Sequence, residues 1–152
     1  MTKFLPTIIL RHRKENLKKC SLTGLETRDD LDFYTYPLKA SLPDLTNYIM
    51  LDFDGPEISL DDAHFGIFLL DSTWKYEKVM RNAIPDLPKR SLPSNYRTAY
   101  PRKQTACNDP DRGLASIEAL YLAHKLSGRP YKDLLDHYHW KEEFLKINSC
   151  DA

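Results

Sequence analysis

The chain has 152 residues, which suits one compact domain with a core of its own and leaves little room for a second. Hydrophobic residues make up 41% and charged residues 29%, which excludes a disordered or fibrous chain, and no apolar run approaches the roughly 20 residues that span a bilayer. A net charge of zero, from 22 basic and 22 acidic residues, argues against a nucleic-acid partner until the placement of those charges is considered.

Residues 7–11 (TIILR) are rich in β-branched side chains and predict a buried first strand. The polar run 12–19 leads into Ser21-Leu22-Thr23-Gly24, a turn or short helical piece with hydroxyls near backbone amides. Residues 31–36 predict a second strand, stopped by Pro37, and residues 48–53 a third, stopped by Gly55-Pro56. Ser59 followed by Asp61 and Asp62 is the pattern of a helix start. Residues 65–70 (FGIFLL) form the clearest strand, and their lack of polar alternation predicts cover on both faces, as in a parallel sheet between helices. Asp71-Ser72-Thr73-Trp74 follows at once, beyond the carboxyl end of that strand, where ligand sites of open α/β sheets lie. A helix is expected over 74–82, a short segment between prolines over 87–92, and a long irregular loop over 94–110. Residues 114–126 place apolar side chains at helical spacing, with Gly128 ending that helix, and residues 131–138 and 140–147 predict two further short helices. The alternation of strands and helices makes the class α/β.

The charges are not evenly spread. Arg11, Arg13, Lys14, Lys18 and Lys19 cluster near the N-terminus against Glu15 alone, and no acidic residue occurs between Leu87 and Asn108 while Lys89, Arg90, Arg97, Arg102 and Lys103 do. Two basic segments on a neutral protein form either one positive face for phosphates or two solvated loops. Cys20, Cys107 and Cys150 are odd in number and far apart, so neither a disulfide framework nor a zinc knuckle is expected. With no secretory pattern at Met1–Pro6, a cytoplasmic location follows as the expectation. His137-x-His139 lacks a third ligand nearby, so no metal is expected, and no P-loop, GxGxxG or HExxH motif occurs.

Four blocks, in order, resemble the DTW-domain family of tRNA-uridine aminocarboxypropyltransferases: Lys19-Cys20-Ser21-Leu22-Thr23-Gly24, Asp71-Ser72-Thr73-Trp74 after its strand, Pro93-Ser94-Asn95-Tyr96-Arg97, and Gly113-Leu114-Ala115-Ser116-Ile117-Glu118-Ala119. The related ribosomal-RNA aminocarboxypropyltransferases share the strand-Asp-x-Ser-Trp block, and their C-terminal pattern is similar to Trp140…Phe144-Leu145…Asn148. The N-terminal cysteine cluster common in DTW proteins is missing before the first strand. The resemblance implies a single domain over residues 1–152. Its implied fold is SPOUT-like, α/β with a mostly parallel sheet flanked by helices and a C-terminal trefoil knot. The implied cofactor is S-adenosyl-L-methionine, whose 3-amino-3-carboxypropyl group passes to N3 of a uridine. The implied partner is RNA, tRNA first and rRNA as the other candidate, and the protein is expected to act as a monomer without a membrane.

Residue by residue, the resemblance makes Asp71 the general base for the uridine N3 proton, whereas pattern alone makes it a cap for the following helix; both readings stand open. Ser72, Thr73 and Trp74 are expected at the cofactor, with Trp74 either walling the adenine or sitting in the core. Leu92 and Pro93 are expected to line the adenine pocket, Leu114 to touch the cofactor, and Ser21, Thr23 and Ser116 to hold the carboxylate of the transferred group. Glu118 is expected either to meet the substrate's amino group or to form a capping interaction. Arg11, Arg13, Lys19, Tyr96, Arg97, Arg102 and Lys103 are expected to face RNA. A SPOUT-like methyltransferase and a non-catalytic RNA-binding domain are the competing readings.

Overall fold

In the computed structural model, residues 4–14, 22–39, 41–71, 74–99 and 114–148 are described, Trp74 and Lys75 by their backbone alone. Among these residues five strands form one sheet: β1 (Thr7–His12), β2 (Leu31–Tyr36), β3 (Tyr48–Leu51), β4 (Gly66–Asp71) and β5 (Lys89–Arg90), in the spatial order β2-β1-β4-β3-β5. All four pairings are parallel. Among the described residues three α-helices accompany it, α1 (Trp74–Arg81), α2 (Ser116–Leu126) and α3 (Lys141–Ile147). The expected α/β class, with a mostly parallel sheet and flanking helices, is what the chain adopts.

The reason lies in the central strands. Ile8, Leu10 and Phe68 pack with Met50 and with Met80 of α1 on one face, while Ile9 and Leu69 pack with Ile117, Leu120 and Tyr121 of α2 and Phe144 of α3 on the other. Ile8, Ile9, Leu10, Ile67 and Phe68 are each 0% exposed, so consecutive positions are apolar because both faces are covered. Each such side chain contributes about 1.5–3 kcal/mol relative to an exposed one, which favours the twin-layered arrangement over a half-solvated sheet. Gly66 opens β4 because a Cβ there would lie 2.3 Å from the Tyr48 ring, whose hydroxyl donates to Pro6 O at 2.7 Å.

Several boundaries differ from expectation. The strand expected over 48–53 ends at Leu51, because Asp52 turns to accept the Phe53 amide at 2.6 Å and the Arg81 guanidinium at 2.6 Å. The segment between prolines contains the edge strand β5, paired with β3 through Met50↔Lys89 and Leu51↔Arg90. The expected helix over 131–138 is a series of turns: Leu134, Asp136 and Tyr138 each donate to the carbonyl three residues back, never four. The start at Ser59 is a 3-10 turn (Leu60–Asp62) with a complete capping box.

Candidate active site

The chain leaves β1 toward β2 on one side and leaves β4 toward β5 on the other, so the sheet's order reverses between the carboxyl ends of β1 and β4. That reversal opens a crevice in doubly wound sheets and is where ligands bind. Arg11 and Asp71 are register partners at this point. Odd-numbered residues 9 and 69 face α2, so Arg11 and Asp71 share that face. Asp71 is 6% exposed, and the Ser116 hydroxyl at the first residue of α2 donates to its Oδ1 at 2.6 Å. This bond joins residues 45 apart, a tertiary tie beyond anything a local helix cap requires.

Arg11, expected to face RNA, is 9% exposed instead. Its Nη1 meets Glu26 Oε2 at 3.2 Å and its guanidinium lies 4.6 Å from the centre of the Phe33 ring. Glu26 also accepts the Gly24 amide at 2.7 Å, which tethers the Thr23–Gly24 turn to the crevice. Gly24 holds φ +105°, a conformation that favours glycine. Glu26 was not among the residues expected at the site; only its distance of two residues from Gly24 hinted at it.

Ser116, expected to hold a carboxylate, has one proton to donate and gives it to Asp71, so it cannot also donate to an anion. Glu118 resolves toward the structural side of its two expectations. It is 0% exposed and accepts from Ala115 N at 2.8 Å, Thr98 Oγ1 at 2.6 Å, Ala99 N at 2.8 Å and Tyr138 OH at 2.9 Å. Four donors fill the lone-pair sites of a carboxylate, which leaves none for a substrate ammonium. Asn148, just past α3, adds a second hold on the same loop: its Oδ1 accepts the Arg97 amide at 2.7 Å and its Nδ2 donates to Arg97 O at 2.8 Å. Thr98, Tyr138 and the Asn148 clamp were not foreseen as parts of the site, although Asn148 belonged to a recognised C-terminal pattern.

Leu92, Tyr96, Ala99 and Leu114 stand half-buried against the core cluster of α2, together with Leu51 at the carboxyl end of β3, and Pro93 is half-buried beside Leu92. They form an apolar rim next to Asp71's strand. Thr23 is exposed, and so is the side chain of Arg97. Arg13 is exposed and lines a cleft of about 690 Å³ along the edge strand, with Phe33, Tyr34, Thr35, Pro37, Leu38 and Lys39. Lys19, Ser21, Ser72, Thr73, Arg102, Lys103 and the three cysteines lie outside the described residues, as does the Trp74 side chain. The basic run after Leu87 is partly neutralised within the molecule: Arg90 pairs with Asp62 at 3.1 Å, and Lys89 lies 3.8 Å from Asp52. His137 packs against Gly24, and His139 stands edge-on to Trp140 at 4.5 Å. Among the described residues no group of three or more His, Cys, Asp or Glu is placed to hold a metal, and no helix is long and apolar enough to cross a membrane.

Chemically, the crevice offers a carboxylate oriented by a hydroxyl, an arginine beside it, and an apolar rim along the neighbouring strand ends. It can take a proton next to a flat, apolar-faced ligand. No protein-family model matches the chain, and no curated protein matches it in sequence. Its fold is similar to the solved structure of the S-adenosylmethionine-dependent rRNA aminocarboxypropyltransferase Tsr3 from Vulcanisaeta distributa, at a TM-score of 0.68 and 22% identity, over 95% of this chain and 79% of that one.

Proposed function

We propose that this protein is a monomeric, single-domain RNA-modifying enzyme that transfers the 3-amino-3-carboxypropyl group of S-adenosylmethionine to N3 of a uridine. The observation that carries the proposal is the buried Asp71 carboxylate at the sheet's switch point, fixed by Ser116 from α2. The similarity in fold to an aminocarboxypropyltransferase supports the same reading, as do the four sequence blocks. A C-terminal trefoil knot is implied by the same resemblance.

The residues present fit the cofactor. Leu51, Leu92, Pro93 and Leu114 offer the apolar walls that adenine needs, and backbone groups beside Leu92 and Pro93 would read its edge. Thr23 and Ser21 would hold the carboxylate of the transferred group, and Ser72, Thr73 and Trp74 would lie at the cofactor, with Trp74 walling the adenine. When bound, S-adenosylmethionine supplies a carbon activated by its sulfonium. Asp71 accepts the N3 proton of the uridine through its carboxylate, while the Ser116 hydroxyl keeps that carboxylate aimed into the crevice. Positioning carries much of the remaining rate enhancement, because the two reacting groups must lie in line.

RNA would approach over the carboxyl edge of the sheet, where Arg13, Lys39 and Arg97 are exposed and Tyr96 stands half-buried. tRNA is the substrate implied by the four-block resemblance, and rRNA is favoured by the fold similarity to an rRNA enzyme. The test is incubation of the purified protein with S-adenosylmethionine and unmodified bulk tRNA or rRNA fragments, followed by mass spectrometry of nucleosides and cofactor products. Aminocarboxypropyl-uridine together with methylthioadenosine is the expected outcome, and the RNA that yields it identifies the substrate. S-adenosylhomocysteine would identify a methyltransferase instead. RNA binding indifferent to the cofactor, without product, would leave a non-catalytic binding domain.

A further inference from the structure

Glu118 is a costly feature. A carboxylate at 0% exposure, with no cation paired to it among the described residues, gives up its hydration and recovers it only through hydrogen bonds. Capping α2 uses one of its four bonds, that from Ala115 N. The other three come from elsewhere: Thr98 and Ala99 of the loop after β5, and Tyr138 of the turns before α3. Two residues earlier on the same helix turn, Ser116 holds Asp71. One turn of α2 therefore fixes both the candidate base and the 98–99 loop, while Asn148 fixes Arg97 from the other end.

We propose that Glu118 is a positioning residue: its carboxylate locks Thr98 and Ala99 onto the first turn of α2, so that the loop they end is pre-formed as one wall of the cofactor site. The loop's role as a cofactor wall rests on the function proposed above; the lock itself rests on the two hydrogen bonds from Thr98 and Ala99. Pre-formation matters because a loop ordered before binding does not charge its ordering entropy to the ligand.

Glutamine at this position has one accepting end and one donating end. Whichever way the amide turns, one pair of donors (Thr98 Oγ1 with Ala115 N, or Ala99 N with Tyr138 OH) faces an N–H in place of an oxygen. In Glu118→Gln, hydrogen exchange of the Ala99 amide should quicken about tenfold or more relative to the interior amides of α2. The Kd for S-adenosylmethionine should rise about tenfold while kcat at saturating cofactor stays within about threefold. A merely structural residue would lower the melting temperature and leave that split unmoved. If Glu118→Gln does not fold, Thr98→Val removes one loop anchor and keeps three donors on the carboxylate, and it should quicken Ala99 exchange and raise Kd about threefold. Unchanged Ala99 exchange and unchanged Kd in a folded variant would overturn the proposal. Should the wild-type protein not bind S-adenosylmethionine, the proposed function fails, and the exchange measurement alone then decides the lock.

Discussion

Asp71 and Ser116 act as a pair, and substitution separates their two contributions. Asp71→Asn keeps an oxygen that accepts from Ser116 Oγ, so the local geometry survives, but the amide cannot take a proton at neutral pH. Transfer should fall about 10²–10⁴-fold, the usual worth of a general base, with the Kd for S-adenosylmethionine within about twofold of wild type. Wild-type turnover in this variant, measured by methylthioadenosine release, would remove Asp71 from the mechanism. Asp71 was legible in the sequence because it ends an unbroken apolar run and opens a recognisable block. Glu118 was only half legible. Its position three residues after Ala115 announced the cap, but its other partners lie near residues 98 and 138, and no spacing rule brings those to one point. Arg11 is misleading in the sequence for a related reason. A basic residue at a strand end looks solvent-bound until the fold sets Glu26 and Phe33 beside it.

The central strands were legible because burial on both faces leaves only apolar residues to use, whereas β5 was not, since two residues carry no periodicity. The turns over 131–138 mimicked a helix because Leu134, Leu135 and Tyr138 are all buried there, a spacing that turns with three-residue bonds also deliver. How α2 is seated on the sheet has a measurable consequence. Thr7 at the start of β1 meets His124 Nε2 at 2.8 Å, and His124 Nδ1 lies 3.0 Å from Pro130 O. A carbonyl only accepts, so Nδ1 carries the proton and Nε2 accepts from the Thr7 hydroxyl, which requires a neutral ring. Burial pulls the His124 pKa down from 6.5 to about 4, against the opposing hydrogen bond to Pro130. The unfolded chain therefore binds the proton first as pH falls. Stability is full above about pH 6.5, declines between there and about pH 4, and levels off below, a loss of about 3 kcal/mol at ~1.4 kcal/mol per unit. Urea unfolding of wild type and His124→Gln across that window checks it: the two stability curves should converge toward low pH, and parallel curves would show that His124 does not titrate as described.

Across the whole molecule, equal numbers of opposite charges conceal a sorting that the fold performs. Asp52 and Asp62 are spent on Arg81, Lys89 and Arg90, and Glu26 on Arg11, so those basic residues contribute little outward field. Arg13, Lys14, Lys39 and Arg97 remain exposed, and all four lie beyond the carboxyl ends of strands, on the same edge of the sheet as Asp71. The described basic residues thus divide into an inner set that holds the structure and an outer set at the candidate site, a division visible only once the acids' partners are known. Arg13 and Lys39 flank the cleft at the edge strand and are the two most separable members of the outer set. Phosphate contacts release condensed counterions, so each one lost lowers the dependence of binding on salt by just under one unit of logarithmic slope. Replacing Arg13 and Lys39 together by alanine should weaken RNA binding about tenfold or more at low salt and reduce that slope by about 1.5, with the melting temperature and the Kd for S-adenosylmethionine unchanged. Replacing Lys89 should leave the slope as it was, because its charge is already engaged by Asp52. The measurement is a salt titration of RNA affinity for the three proteins. If the double variant keeps the wild-type slope, the RNA reaches Asp71 by another route, and the exposed charge at Arg97 and Lys14 becomes the next pair to remove.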